Sequence, residues 1–350
     1  MTALAFLVPG RLEQLTGGYI YDRKVVEGLR ARGWTVSVAE LAGRFPEADA
    51  SARTSAAAAL AGLPTGALAV VDGLALPGFA DCLPAQSRRL RLVGLIHHPL
   101  AAETGLSPDL VRHYAALEAR LWPQLHGLVC ASAHTARQVV ACGIAAQRVA
   151  VVSPGTDKPA GAAAPRDAGA LRLLAVGTVT PRKGHLLLVA ALSGLRDFDW
   201  RLTCIGSLER DPAAVAALRR AIEASGLGDR IALLGEQPPA QLDEAFRRAD
   251  LFALPSYHEG YGMAFAEALA HGLPVIATTA GAIPDTVPPE ASLLVPPGDA
   301  RALEGALRRV FTDASLRASL AAGAARSATA LPDWPQVVDR WIDVLDRFAA

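Results

Sequence analysis

Two acidic residues eight apart, Glu259 and Glu267, bracket a tight turn, Gly260-Tyr261-Gly262, and the helical pattern that starts at Met263. The turn follows an apolar run, Leu251 to Leu254, which reads as a buried parallel strand. A glycine-bearing loop therefore opens a helix at the carboxyl edge of a strand. Free backbone N–H groups and the helix dipole favour an anion at such a place. Two carboxylates flanking an anion cradle suit a ligand that carries both hydroxyls and phosphate, as a nucleotide sugar does. Taken singly, Glu267 is equally a solvated helix residue, and Gly260 and Gly262 are equally plain turn glycines.

A second set of charges lies in Gly177-Thr178-Val179-Thr180-Pro181-Arg182-Lys183-Gly184, which follows the strand Leu171 to Val176 and opens a helix. Adjacent cations at a strand-to-helix turn can neutralise a diphosphate as it leaves. Lys183 is one of only three lysines, with Lys24 and Lys158, in a chain where arginine dominates the basic residues. A third candidate is His97, in His97-His98-Pro99 at the end of the run Leu92 to Ile96. A histidine there can donate to a sugar hydroxyl or a phosphate oxygen near neutral pH. Gly17 and Gly18, before a helical pattern from Tyr19 to Arg30, and Ser207, after the run Arg201 to Ile205, occupy comparable strand-end loops.

The elements that must position these groups alternate throughout. In the first half, apolar runs at Ala3 to Val8, Trp34 to Ala39, Leu68 to Val71, Leu92 to Ile96, Leu128 to Ala131 and Val149 to Val152 are separated by helical patterns. The second half repeats that architecture without repeating the sequence. Strands that are apolar throughout, not half-polar, indicate parallel sheets covered on both faces, with ligands beyond their carboxyl ends. A Gly/Ala/Pro-rich stretch after Ser153-Pro154-Gly155-Thr156-Asp157, running to Gly169, reads as an interdomain connection.

Composition excludes several classes. The 350 residues are enough for two ordinary domains, and the net charge of zero gives no global pull toward nucleic acid. Cys82, Cys130, Cys142 and Cys204 are scattered, with no metal or disulfide spacing. With no signal peptide read at the start, the expectation is a cytoplasmic protein. The longest uncharged run, Thr54 to Val71, is broken by Gly62, Pro64 and Gly66, so no spanning helix is expected. Peripheral contact with the inner membrane surface stays compatible, since it needs only a surface patch. The first strand-turn-helix lacks the G-x-G-x-x-G fingerprint, and neither a P-loop nor a G-x-S-x-G motif is present. Asp197-Phe198-Asp199 has the form of a D-x-D metal motif but lies far in sequence from every candidate loop.

The segment from Glu259 to Glu267 closely resembles the E-x7-E segment of retaining glycosyltransferases of family 4, which have the GT-B architecture. The resemblance implies two Rossmann-like α/β domains facing across a cleft: an acceptor-side domain at 1–157, a donor domain at 168–333, and a final helix at about 334–350 packing back onto the first. It implies that Glu259 and the amides of Gly260, Tyr261, Gly262 and Met263 hold the donor sugar, and that Glu267 holds the ribose hydroxyls. By the same likeness, Gly17 and Gly18 lie against the donor phosphates and the acceptor, and His97 contacts the donor. The 177–184 segment resembles the family's G-R-x-x-x-K-G site, except that Thr178 replaces the arginine. Either Arg182 supplies the missing charge or Lys183 works nearly alone. The expected activity is transfer of a hexosyl group from a nucleoside-diphosphate sugar to a hydroxyl acceptor (lipid, glycan precursor or small molecule) with retention of configuration and without metal or cofactor. A 2-epimerase, a phosphorylase and a non-catalytic binding protein of the same architecture are the alternatives.

Overall fold

In a computed structural model of the chain, residues 3–159, 161 and 169–349 are described. The chain divides into two compact units: residues 1–155 with 332–350, and Thr156–Leu331. Much of the connection expected between them, residue 160 and residues 162–168, lies outside the described residues.

The first unit is built on six strands: β1 (Ala3–Pro9), β2 (Thr35–Leu41), β3 (Leu68–Asp72), β4 (Arg91–Ile96), β5 (Gly127–Cys130) and β6 (Val149–Val151). They pair in parallel in the order β2-β1-β3-β4-β5-β6. The interior strands are buried along nearly their whole length, as the unbroken apolar runs require of a sheet covered on both faces. The first helix, Gly17–Ala31, begins two residues before the expected Tyr19, because Thr16 takes the extended N-cap conformation and both glycines enter the first turn. The terminal helix Trp334–Ala349 lies along it. A Cβ at Gly28 would stand 2.1 Å from Val338 Cγ2, so glycine there admits the neighbouring helix. Trp341 Nε1 donates to the Tyr21 hydroxyl at 2.9 Å, and that hydroxyl donates to the Val152 carbonyl at 2.6 Å.

The second unit holds β7 (Leu171–Val176), β8 (Trp200–Ile205), β9 (Ile231–Leu233), β10 (Leu251–Ala253), β11 (Val275–Thr278) and β12 (Ser292–Val295). Their order is β12-β11-β10-β7-β8-β9, again parallel. Its core centres on Phe252, Phe265, Leu188 and Trp200, none more than 1% exposed. The chain winds outward from β7 to β9, then returns to place β10 on the other side of β7. In an open parallel sheet, the loops leaving the carboxyl ends of the two strands at such a reversal are where a ligand binds. In this unit those strands are β7 and β10, and in the first unit they are β1 and β3.

Candidate functional site

The loops leaving β7 and β10 meet. Gly184 has φ +71°, and a Cβ on it would stand 2.1 Å from the Pro255 carbonyl oxygen, so only glycine permits this approach. The Tyr257 N–H donates to the Arg182 carbonyl at 2.7 Å and ties the loops together. Three side chains then converge on one carboxylate. Lys183 Nζ lies 2.7 Å from Glu259 Oε1, Ser256 Oγ donates to the same oxygen at 2.7 Å, and Arg182 Nη1 lies 3.4 Å from Oε2. Arg182 Nη1 also donates to the His258 carbonyl at 2.8 Å.

Glu259 is 5% exposed. Burial by itself would push its carboxyl upward. The charges of Lys183 and Arg182, with the hydrogen bonds from Lys183 and Ser256, outweigh burial and hold it down at about 2. The backbone of Glu259 is fixed as firmly. Ala282 N–H donates to its carbonyl at 2.9 Å, and a Cβ at Gly281 would stand 2.4 Å from that oxygen.

Two helices start beside this cluster, His185–Ser193 from Gly184 and Met263–Ala270 from Gly262, and each has a glycine N-cap with no side chain of its own to cap it. Their first-turn N–H groups and the two cations form an electropositive rim around a buried anion. His185, directly after Gly184, is 3% exposed, and among the described residues neither ring nitrogen has a hydrogen-bond partner. Burial first, and then the Lys183 charge, lowers it to about 4, so it is neutral at pH 7.

A second cluster occupies the reversal point of the first unit. His97 Nε2, at the end of β4, lies 3.2 Å from Asp22 Oδ1 on the first helix and 3.8 Å from Asp72 Oδ2 at the end of β3. Both carboxyls are buried, and Asp22 Oδ2 has no hydrogen-bond partner among the described residues. Asp72 Oδ1 accepts from the Leu74 N–H at 2.7 Å. Burial and the neighbouring Asp22 charge push Asp72 up to about 8. Burial pulls His97 down, but the charge and hydrogen bond of Asp22, and then the charge of Asp72, raise it to about 9. Gly18 lies against the ring, where a Cβ would be 3.4 Å from Cδ2 and Nε2.

The family described as glycosyl transferases, group 1, matches residues 170–313. D-inositol 3-phosphate glycosyltransferase of Salinispora tropica is 34% identical over 230 residues, covering 58% of this chain and 47% of the relative. The protein of that name from Corynebacterium glutamicum is 34% identical over 147 residues, covering 41% of this chain and 35% of the relative. Sucrose-phosphate synthase from Thermosynechococcus elongatus superposes with a TM-score of 0.83 over 99% of both chains at 21% identity. Anabaena HepE in complex with UDP-glucose does so at 0.78, over 99% of this chain and 100% of the other, at 18% identity. Residues 170–313 thus match that family, and the chain has the GT-B fold. It spans about half or less of the length of the curated relatives it matches.

In this chain Arg182, Lys183 and Glu259 come together, with Gly260, Tyr261, Gly262 and Met263 following directly. The Tyr261 carbonyl is fixed by Thr286 Oγ1 at 2.6 Å. Glu267 is partly exposed in the second turn of the helix Met263–Ala270. Ser207 is buried beside the β7 loop: its carbonyl accepts from the Val179 N–H at 3.1 Å, and its hydroxyl oxygen accepts from the Glu209 N–H at 3.3 Å. Gly17, Gly18 and His97 belong to the other unit. Arg182 Nη1 and Lys183 Nζ both reach the Glu259 carboxylate, beside Thr178 in the same loop. Sequence reasoning missed Ser256, Asp22 and Asp72. Ser256 stands three residues before Glu259, but Asp22 and Asp72 carry no local signal.

Proposed function

We propose that this chain transfers a hexosyl group from a nucleoside-diphosphate sugar to a hydroxyl acceptor, with retention of anomeric configuration. The observation that carries the reading is the convergence of Arg182 and Lys183 on Glu259 at the β7/β10 reversal. Two helix starts with glycine N-caps flank that cluster. In the proposed site the two cations and the amides from Gly260 to Met263 take the diphosphate, Glu259 orients the sugar and Glu267 takes the ribose. Charge develops on an oxocarbenium-like sugar and on the departing diphosphate, and fixed cations in a partly buried site stabilise the second. The bond from the anomeric carbon to the phosphate oxygen breaks, the bond to the acceptor oxygen forms on the same face, and the acceptor proton passes to the leaving phosphate. His97 donates to a substrate oxygen. Neutralisation of the leaving group by Arg182 and Lys183 assigns no step to a metal ion, and no cofactor is proposed. The names of the relatives and the UDP complexes of Anabaena HepE support a nucleotide-sugar donor.

The test incubates the protein with UDP-, GDP- and ADP-sugars and a panel of hydroxyl acceptors, lipid extracts included, and resolves the products by mass spectrometry and NMR. The reading expects an acceptor adduct with the donor's anomeric configuration. Free sugar and nucleotide formed equally with and without acceptor would replace it with an epimerase or hydrolase. Donor binding without turnover would replace it with a binding protein.

A further inference from the structure

The cluster of Asp22, Asp72 and His97 is the strongest feature that the donor-site account leaves unused. Its ligand atoms lie within 4.8 Å of one another. Two carboxyls that close, both buried, cannot both ionise without a counter-charge. His97 supplies one positive charge, enough for one carboxylate and not for two. A single proton held between the carboxyls completes the balance: one imidazolium, one carboxylate, one carboxylic acid, net charge zero. Asp22 is the closer to Nε2 at 3.2 Å, whereas Asp72 stands at 3.8 Å and has burial and the Asp22 charge favouring its acid form.

We propose that Asp22 and Asp72 are positioning residues for His97: Asp22 as carboxylate fixes Nε2–H inward, Asp72 carries the shared proton, and Nδ1–H is left as a cationic donor. His97 is then a hydrogen-bond donor to a substrate oxygen and not a proton acceptor, a consequence that rests on the glycosyltransferase reading above. The frame around the ring agrees. Among the described residues no hydrogen-bond partner reaches Nδ1, and one-fifth of the side chain is exposed. Tyr21 stands edge-on to the imidazole at 5.6 Å between centroids, with its hydroxyl engaged by Val152 and Trp341. Thr135 Oγ1 donates to the His97 carbonyl at 3.4 Å. Glu118 accepts from the Leu100 N–H at 2.6 Å and anchors the loop that follows. Among the described residues, the titratable groups in recorded contact with the ring are Asp22 and Tyr21 from the first helix and Asp72 from β3.

The roles of the two carboxyls differ, and that makes the proposal testable. Asn mimics a protonated Asp but not an ionised one. NMR of histidine-labelled full-length protein, with the His97 signals assigned by their loss in His97→Gln, should show both ring nitrogens protonated up to pH 8 in the unmutated protein. Asp72→Asn should keep His97 charged at pH 8 and keep most of the transfer rate. Asp22→Asn should lower the His97 midpoint and raise KM for the ligand that His97 contacts. Asp22→Asn with Asp72→Asn should bring the midpoint below 6.5. A midpoint at or below 6.5 in the unmutated protein overturns the proposal without need of any variant. Equal damage from the two single substitutions overturns the assignment of the shared proton. A charged His97 at pH 8 in a protein that transfers no sugar would uphold the triad and count against the function instead.

Discussion

Lys183 Nζ stands 2.7 Å from Glu259 Oε1, a contact between residues 76 apart in sequence that joins the loops after β7 and β10. Lys183 is the strongest of the groups that compensate the buried glutamate charge, and the lysine side chain is 15% exposed and the glutamate side chain 6%. Such a pair contributes little net stability when whole but costs much when one partner is removed, because the other is left buried and uncompensated.

Lys183→Ala should therefore destabilise the second unit by about 3–5 kcal/mol. For a unit of this size, the melting temperature should fall by roughly 10 °C. Differential scanning calorimetry checks this. A fall of no more than about 2 °C would mean that Arg182 and Ser256 suffice to hold Glu259.

Gly281→Ala tests whether the glutamate backbone is held as closely as it looks. The new Cβ would meet the Glu259 carbonyl at 2.4 Å from a backbone with φ +57°. The left-handed conformation alone costs about 1–2 kcal/mol for a residue with a side chain. Displacement of Glu259 should then weaken donor binding tenfold or more by calorimetric titration. A Gly33→Ala control, also at positive φ but with nothing within 4 Å of the added atom, should leave donor binding unchanged.

Much of this frame is legible in the sequence. Short continuous apolar runs between turn signals, such as Leu92 to Ile96, read as buried strands, and a glycine turn followed by helical periodicity marks the loops at 177–184 and 259–263. The first cluster is readable because its members sit in such loops. Asp22 and Asp72 are not readable. Asp22 falls inside an amphipathic pattern, where an acid reads as a solvated helix face, and Asp72 merely ends a strand. Their meeting with His97 depends on the strand order β1-β3-β4, which brings three distant segments to one sheet edge, and no periodicity encodes that order. Thr178 left two readings for the same reason: the reach of Arg182 to Glu259 is set by how the β7 loop folds over Pro255.

Acid sensitivity follows from Glu259. Its folded-state value of about 2 lies below the ordinary 4.5, so the native state favours the carboxylate. The stability it contributes is complete above pH 4.5 and is lost as pH falls from there toward 2. Unfolding free energy measured across that interval should decline, and the part of the decline due to this group should vanish in Glu259→Gln. An unchanged slope in that variant would assign the acid sensitivity to other carboxylates.

Trp341 tests the terminal helix. It is fully buried and hydrogen-bonded to Tyr21. Trp341→Ala should cost the first unit about 3–5 kcal/mol. Chemical denaturation followed by fluorescence reads this, and a loss below about 1 kcal/mol would show that the first unit does not depend on this helix.

Giving the leaving group to Arg182 and Lys183 predicts transfer that needs no divalent metal. Transfer should continue at an undiminished rate after dialysis against EDTA. Complete loss, restored by a divalent cation, would assign the diphosphate to a metal.

Titration calorimetry of UDP-, GDP- and ADP-sugars into the unmutated protein and into Arg182→Ala and Lys183→Ala tests the central claim most directly. The account predicts that one donor binds the unmutated protein and that its affinity falls at least tenfold in each variant. Equal affinity in all three proteins, each confirmed folded by calorimetry, would contradict it, because the diphosphate would then be held by residues other than this pair.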